Sequence, residues 1–195
     1  MLADPRVPLG LGTVAMVVTA ALVRKKHVGR CETRMFRAVN GLPDSLYRPS
    51  WAIMQFGTLG AAPAAAGVAW LAHDRELAGQ LLAGGTGTWA LSKVVKRMVR
   101  RPRPAKLMSG TRCRGAEAAG LGYLSGHAGV AVALAAAAVP HLGSGGRTVV
   151  LGAVPMVGLS RMYVGAHLPL DIAGGAALGL AVEAAVSLVR ELPER

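Results

Sequence analysis

The chain has 195 residues, a length that suits one domain, and 52% of them are apolar while only 4% are aromatic. That is more apolar sequence than a soluble domain of this size needs, so the chain is read first against a bilayer. A net charge of +12 beside such hydropathy narrows the partners to nucleic acid, anionic headgroups or a phosphorylated substrate, and the positions of the charges decide among them.

A helix that crosses the hydrocarbon core needs about 20 apolar residues. In chain order six stretches reach or approach that length: residues 7–23, 51–72, 77–95, 126–142, 148–164 and 168–189. The first has the length of a signal peptide but lacks a small-x-small cleavage site ahead of a mature domain, and further spans follow, so it is expected to be a retained helix. Residues 24–50 are basic, with Met35, Phe36, Val39 and Leu42 at helical spacing. This suggests an amphipathic helix lying in the interface. Residues 96–125 carry eight Lys or Arg, and the Arg101–Pro104 segment must leave the helix because proline cannot continue it. Small residues are frequent throughout, and the Gly175–Gly179 spacing lets helices approach closely. The expected architecture is therefore all-α: a single domain over residues 1–195, built as an integral membrane bundle of six transmembrane helices with an interfacial helix after the first span. Six spans put both termini on one face and the loops 24–50 and 96–125, with the turn near His167, on the other. The same small residues permit a homodimer. Cys31 and Cys113 show no metal spacing and no CxxC pair. They are expected to be free thiols, although both fall on the loop-bearing face, where an oxidising compartment would allow them to pair.

Three segments interrupt this apolar background with polar groups, which are expensive in or beside a span and mark functional candidates. The first holds Lys93, Lys96, Arg97 and Arg100 as one stripe, followed by Arg101-Pro102-Arg103-Pro104. Lys93, Arg97 and Arg100 are read as a basic helix end facing headgroups. The second is Ser125-Gly126-His127, where a loop enters a helix whose free N–H groups can receive an anion. The third is Ser160-Arg161, then His167 and Asp171. Four residues apart, His167 and Asp171 share a helix face, and Pro169 suits a first helical turn. A carboxylate there can accept from His Nδ1–H and leave Nε2 as a nucleophile.

The spacings Lys96-x6-Arg103-Pro104, Ser125-Gly126-His127 and Ser160-Arg161-x5-His167-x3-Asp171 resemble the three-part signature of the type 2 phosphatidic acid phosphatase (PAP2) superfamily, whose site vanadium haloperoxidases share. The likeness runs from about residue 51 to 189. One departure is Leu124, where the family usually has proline before Ser-Gly-His; proline stiffens that loop but supplies no catalytic atom. The resemblance implies dephosphorylation of a membrane lipid phosphate or diphosphate without metal or cofactor. It gives His167 the role of nucleophile, Asp171 that of its orienting carboxylate and His127 that of acid and base. Lys96, Arg103, Ser125, Gly126 and Arg161 would hold the phosphate oxygens.

Of the other histidines, His27, His73 and His141 are read as solvated. Tyr163, Trp51, Trp70 and Trp89 are candidate interfacial anchors, and Glu183 receives no role. The implied partners are the lipid phosphate substrate and membrane lipids. Nucleic acid ranks last, because the charges flank apolar spans and few aromatics are available for stacking. The short, apolar chain argues against a haloperoxidase, and a non-catalytic protein that binds or carries anionic lipid is the competing class. The expected location is the inner (plasma) membrane, multi-pass. The active face stays open: most of the 22 Lys and Arg lie on the loop-bearing side, against Arg6, Arg75, Arg147, Arg190 and Arg195 opposite. Positive-inside logic then favours a cytoplasmic site, whereas lipid-recycling members of the family work at the outer face.

Overall fold

The computed structural model describes residues 4–24, 28–116 and 119–191, so His27 and Arg195 lie outside the described residues. The described residues are helical, with no strand. In order the helices are α1 (Arg6–Val23), α2 (Arg30–Asn40), α3 (Tyr47–Met54), α4 (Ala61–Leu71), α5 (Arg75–Val99), α6 (Pro104–Leu107), α7 (Gly126–Ala138), α8 (Ser144–Tyr163) and α9 (Pro169–Glu191).

Local sequence explains most boundaries. Asp74 caps α5 by accepting from the Leu77 N–H at 2.9 Å, and α5 ends at Arg100, which turns left-handed with φ 55°. Arg103 is extended and Pro104 opens the short α6 at the position where its missing N–H costs nothing. Pro169 opens α9 in the same way.

Two helices, α1 and α9, are long and apolar enough by themselves to cross a membrane. The second expected span is broken: a 3-10 turn at Gln55–Gly57 separates α3 from α4, and the two halves meet at a bend of 68°. α5 and α8 have 25 and 20 residues, but charged and polar side chains dilute their hydropathy. α7 is short, 13 residues, prolonged by the 3-10 turn Val139–His141. Val7, Leu11, Val14, Val68, Leu71, Val149 and Leu151 stand on the surface, each more than half exposed. An apolar belt of this kind belongs in lipid rather than water, and the chain is a membrane protein.

Close helix approach organises the interior. A Cβ on Gly175 would lie 2.2 Å from the Ser125 carbonyl oxygen, and one on Gly179 would lie 2.1 Å from that of Gly129. The Gly175–Gly179 stripe is thus consumed inside the monomer, where it seats α9 on α7. α1 lies against α9 through Gly12, beneath Ala177 and Ala181. The α2 helix is amphipathic as expected, yet its buried stripe is Glu32, Phe36 and Asn40; Met35 and Leu42 are exposed. Asn40 is a polar anchor. Its amide donates to the carbonyls of Arg112 and Tyr163 at 2.9 and 3.0 Å and accepts from the Arg112 N–H at 2.9 Å.

Candidate functional site

The topology carries the candidate residues to one end of the bundle. Lys96 sits in the last turn of α5 and Arg161 in the last turn of α8. Ser125 is the N-cap of α7, with Gly126 and His127 in its first turn. His167 lies in the turn just before α9, and Asp171 lies in the first turn of that helix. Alternation of helix direction is enough to place two C-termini and two N-termini together.

Arg103 touches the candidate nucleophile. Its Nη1 is 3.5 Å from His167 Nε2 and donates to the Ala166 carbonyl at 2.8 Å. Its Nε and Nη2 both donate to the Ala119 carbonyl, at 3.0 and 2.9 Å. Lys96 donates to the Leu124 carbonyl and lies 3.4 Å from those of Leu121 and Gly122, so it ties α5 to the loop that enters α7. Arg161 is half-buried; its Nη1 rests 3.1 Å from the Met54 sulfur, and its buried Nε has no partner among the described residues. The charges of Arg161, Lys96 and Arg103 and the ring of His167 all act on His127. The backbone of Gly57, at the break between α3 and α4, presses on His127: a Cβ there would come within 2.4 Å of the His127 carbonyl oxygen. Ser125 Oγ lies 3.4 Å from the Ala128 N–H that it caps.

His167 is 2% exposed and Asp171 is fully buried. Burial is the main reason the His167 ring is pushed down to about 3, with the charges of Lys96 and Arg161 acting in the same direction. The ring is therefore neutral and Nε2 keeps its lone pair. The expected Asp171-to-Nδ1 hydrogen bond is not formed: the carboxylate stands 3.8 Å from Nδ1, and Nδ1 has no partner among the described residues. The reason is competition. Asp171 Oδ1 accepts from Arg101 Nη1 at 2.7 Å, and Oδ2 reaches back to accept from the Leu168 N–H at 2.8 Å, as a third-position carboxylate does in a capping box at the start of α9.

Arg101 and Glu32 are the participants that sequence reasoning passed over. Arg101 was one of eight cations in a loop, and Glu32 one carboxylate in a basic helix 69 residues away. No spacing rule joins them. Burial with opposite charge is the only signature, and it exists only after folding.

The remaining residues fall as follows. Lys93, Arg97 and Arg100 are exposed, as a headgroup-facing stripe would be, and so is His73. His141 Nδ1 lies 3.0 Å from Asp74. Trp51 and Trp70 are about half exposed and Trp89 somewhat less, as anchors at a lipid interface would be. Tyr163 is not an anchor: it is buried under the Arg114 guanidinium, and its hydroxyl donates to the Pro43 carbonyl at 2.9 Å. Glu183 is buried and accepts from Gln80, while Ser187 donates to it at 2.8 Å. Cys31 and Cys113 are both free and exposed. Among the described residues, no group of three His, Cys, Asp or Glu stands in an arrangement suited to a metal ion.

Two solved structures share this architecture. LpxE from Aquifex aeolicus superposes with a TM-score of 0.72 at 18% identity, covering 80% of this chain and 94% of its own. A transmembrane PAP2 type phosphatidylglycerolphosphate phosphatase from Bacillus subtilis superposes with a TM-score of 0.70 at 22% identity, covering 96% and 98%. At these identities the likeness is one of fold. No curated protein matches the sequence. The model of the PAP2 superfamily matches residues 77–193, a stretch that holds all three signature segments and more than half of the chain. By that match, the chain belongs to the PAP2 superfamily.

Proposed function

We propose that this protein dephosphorylates a membrane lipid phosphate or diphosphate through a phosphohistidine on His167. The observation that carries the reading is the contact between Arg103 and His167 Nε2 at 3.5 Å. In this reading the contact sets the attacking nitrogen beside a guanidinium suited to bind phosphate, and the charges of Lys96 and Arg161 act on the same ring. In the proposed reaction, Nε2 attacks phosphorus while His127 donates a proton to the departing oxygen. Asp171 offsets the positive charge that the imidazole gains. Neutral His127 then takes a proton from water as that water attacks the phosphohistidine, and inorganic phosphate leaves. Lys96, Arg103, Arg161, Ser125 and the Gly126 N–H are assigned to the equatorial oxygens, whose negative charge fixed cations and a helix N-terminus stabilise. The substrate classes considered are phosphatidic acid, phosphatidylglycerol phosphate and polyprenyl phosphates; the activity named for the Bacillus subtilis neighbour supports including the second.

The membrane reading that accompanies this is a single multi-pass domain in the inner membrane, with the bent α3–α4 pair, α5, α7 and α8 crossing beside α1 and α9. The site then lies at one interface, where a phosphorylated headgroup meets the cations while its tail stays in lipid. The experiment is phosphate release by the detergent-purified protein in EDTA. The panel is phosphatidic acid, phosphatidylglycerol phosphate, undecaprenyl diphosphate and a polyprenyl-phosphoribose phosphate, with His167→Ala alongside. Release that persists in EDTA and vanishes in the folded variant is expected. Folded wild-type protein inactive on every lipid would favour the non-catalytic lipid-binding class instead.

A further inference from the structure

Glu32, Arg101 and Asp171 form a buried chain of alternating charge. Arg101 Nη1 donates to Glu32 Oε1 at 3.0 Å and Nη2 to Oε2 at 2.8 Å, a two-pronged clamp. The same Nη1 donates to Asp171 Oδ1 at 2.7 Å. Glu32 Oε1 also accepts from the Leu170 N–H at 3.1 Å, and Asp171 Oδ2 from the Leu168 N–H at 2.8 Å. Both carboxylates therefore hold the start of α9, and one guanidinium lies between them. The three residues are 7%, 6% and 0% exposed. Burial opposes the charge on Arg101, but the hydrogen bonds to Glu32 and the charge of Asp171 outweigh it and raise its pKa. Glu32 lies on α2, outside the stretch that matches the family model.

We infer that Glu32 and Arg101 are positioning residues that act on the nucleophile through Asp171, so that α2 is a working part of the active site. The inference rests on the proposed role of His167. The physical reason is a shared carboxylate. Asp171 is held by Arg101 on one oxygen, and its other oxygen, which accepts from the Leu168 N–H, stands 3.8 Å from His167 Nδ1. How strongly Arg101 pulls on Asp171 depends on how much of its charge Glu32 neutralises. With Glu32 in place, the charge of Arg101 is divided between two carboxylates, so Arg101 holds Asp171 less tightly and Oδ2 can close on Nδ1–H as the ring becomes positive. Without the Glu32 charge, Arg101 has one anionic partner left, and Asp171 is drawn away from His167 at the moment it is needed. Phosphate binding, which falls to other residues, should not change.

The test is steady-state kinetics on the panel lipid that the wild type hydrolyses fastest, using purified and demonstrably folded variants. Glu32→Gln is the principal variant, because its amide oxygen can still accept from Arg101 and from the Leu170 N–H. In metal sites, removal of a group that orients a ligating side chain costs about 10- to 100-fold, and the same order is taken for a group that orients a nucleophile's carboxylate. A fall of that size in kcat, with KM within about twofold, is expected. Arg101→Lys should keep more activity than Arg101→Gln. The Glu32→Gln/Arg101→Gln pair should be no slower than Arg101→Gln alone, since residues acting in series are not additive. Arg97→Gln, an exposed site, serves as the control. Unchanged kcat in Glu32→Gln, a loss confined to KM, or losses that multiply in the double variant would each overturn the inference while leaving the phosphatase reading intact. If Arg101→Gln does not fold, the kcat and KM of Glu32→Gln decide alone. A wild type that releases no phosphate overturns both.

Discussion

At the scale of single residues, the candidate site is governed by competition for a few polar partners. Arg103 spends three donors on the carbonyls of Ala119 and Ala166 and holds its guanidinium beside His167 Nε2. A lysine carries the same charge, but it lacks the rigid planar fork of five donors that meets two carbonyls and a phosphate in one fixed geometry. Arg103→Lys is therefore expected to lower kcat/KM by about 100- to 1,000-fold, the range lost when one donor to a developing oxyanion is removed, as measured by phosphate release from the best lipid of the panel. If His167 is the nucleophile, as proposed, the His167→Ala variant should lose turnover altogether. Asp171 shows why residue identity underdetermines role. It can orient His167, but it also caps α9 and neutralises Arg101, and its 3.8 Å distance from Nδ1 follows from those obligations.

At the scale of elements, glycine decides how near the helices come. α9 meets α7 where Gly175 and Gly179 face the carbonyls of Ser125 and Gly129. The two contacts flank His127 on the α7 backbone, so helix packing and site geometry are the same problem. Gly179→Val should force these backbones apart. Overpacking of this sort typically costs about 1–3 kcal/mol, visible as a lower melting temperature in detergent, and activity should fall as Ser125–His127 shift. The broken α3–α4 span matters for a similar reason. Gly57 at the break packs against the His127 carbonyl, and Met54, on the last turn before it, touches Arg161.

At the scale of the whole molecule, the arrangement of faces can be read with the protein's own thiols. Cys31 begins the helix that carries Glu32, and Cys113 follows Arg112, whose N–H bonds Asn40 on that same helix. Both thiols are exposed. A membrane-impermeant maleimide should therefore label Cys31→Ser and Cys113→Ser proteins from the same side of sealed vesicles. If the surplus of Lys and Arg on that side fixes orientation, labelling occurs in inside-out vesicles and not in intact cells. Opposite sidedness for the two thiols would break the proposed six-span arrangement.

The sequence by itself determined the all-helical class, the membrane setting and the family, and it named the candidate groups that the structure brings to one end of the bundle. Apolar runs of span length, proline at first turns and three short polar interruptions are local properties, and local properties survive in a one-dimensional reading. It also located the helix ends that carry Lys96, Ser125, Arg161 and His167, because each end is marked by a charge, a cap or a proline nearby. Only the tertiary structure decided the rest. The bend at 55–57 lies where the Gly57 backbone packs on that of His127. Phe36, Glu32 and Asn40 are buried on α2 because α8 and α9 cover that face, whereas periodicity alone pointed equally to Met35 and Leu42. Tyr163 is buried because Arg114 and the Pro43 carbonyl satisfy its ring and hydroxyl. The Glu32–Arg101–Asp171 chain joins residues 69 and 70 positions apart. The stability of such ions in a dry interior depends on mutual pairing, and that pairing comes into being only when the helices have met.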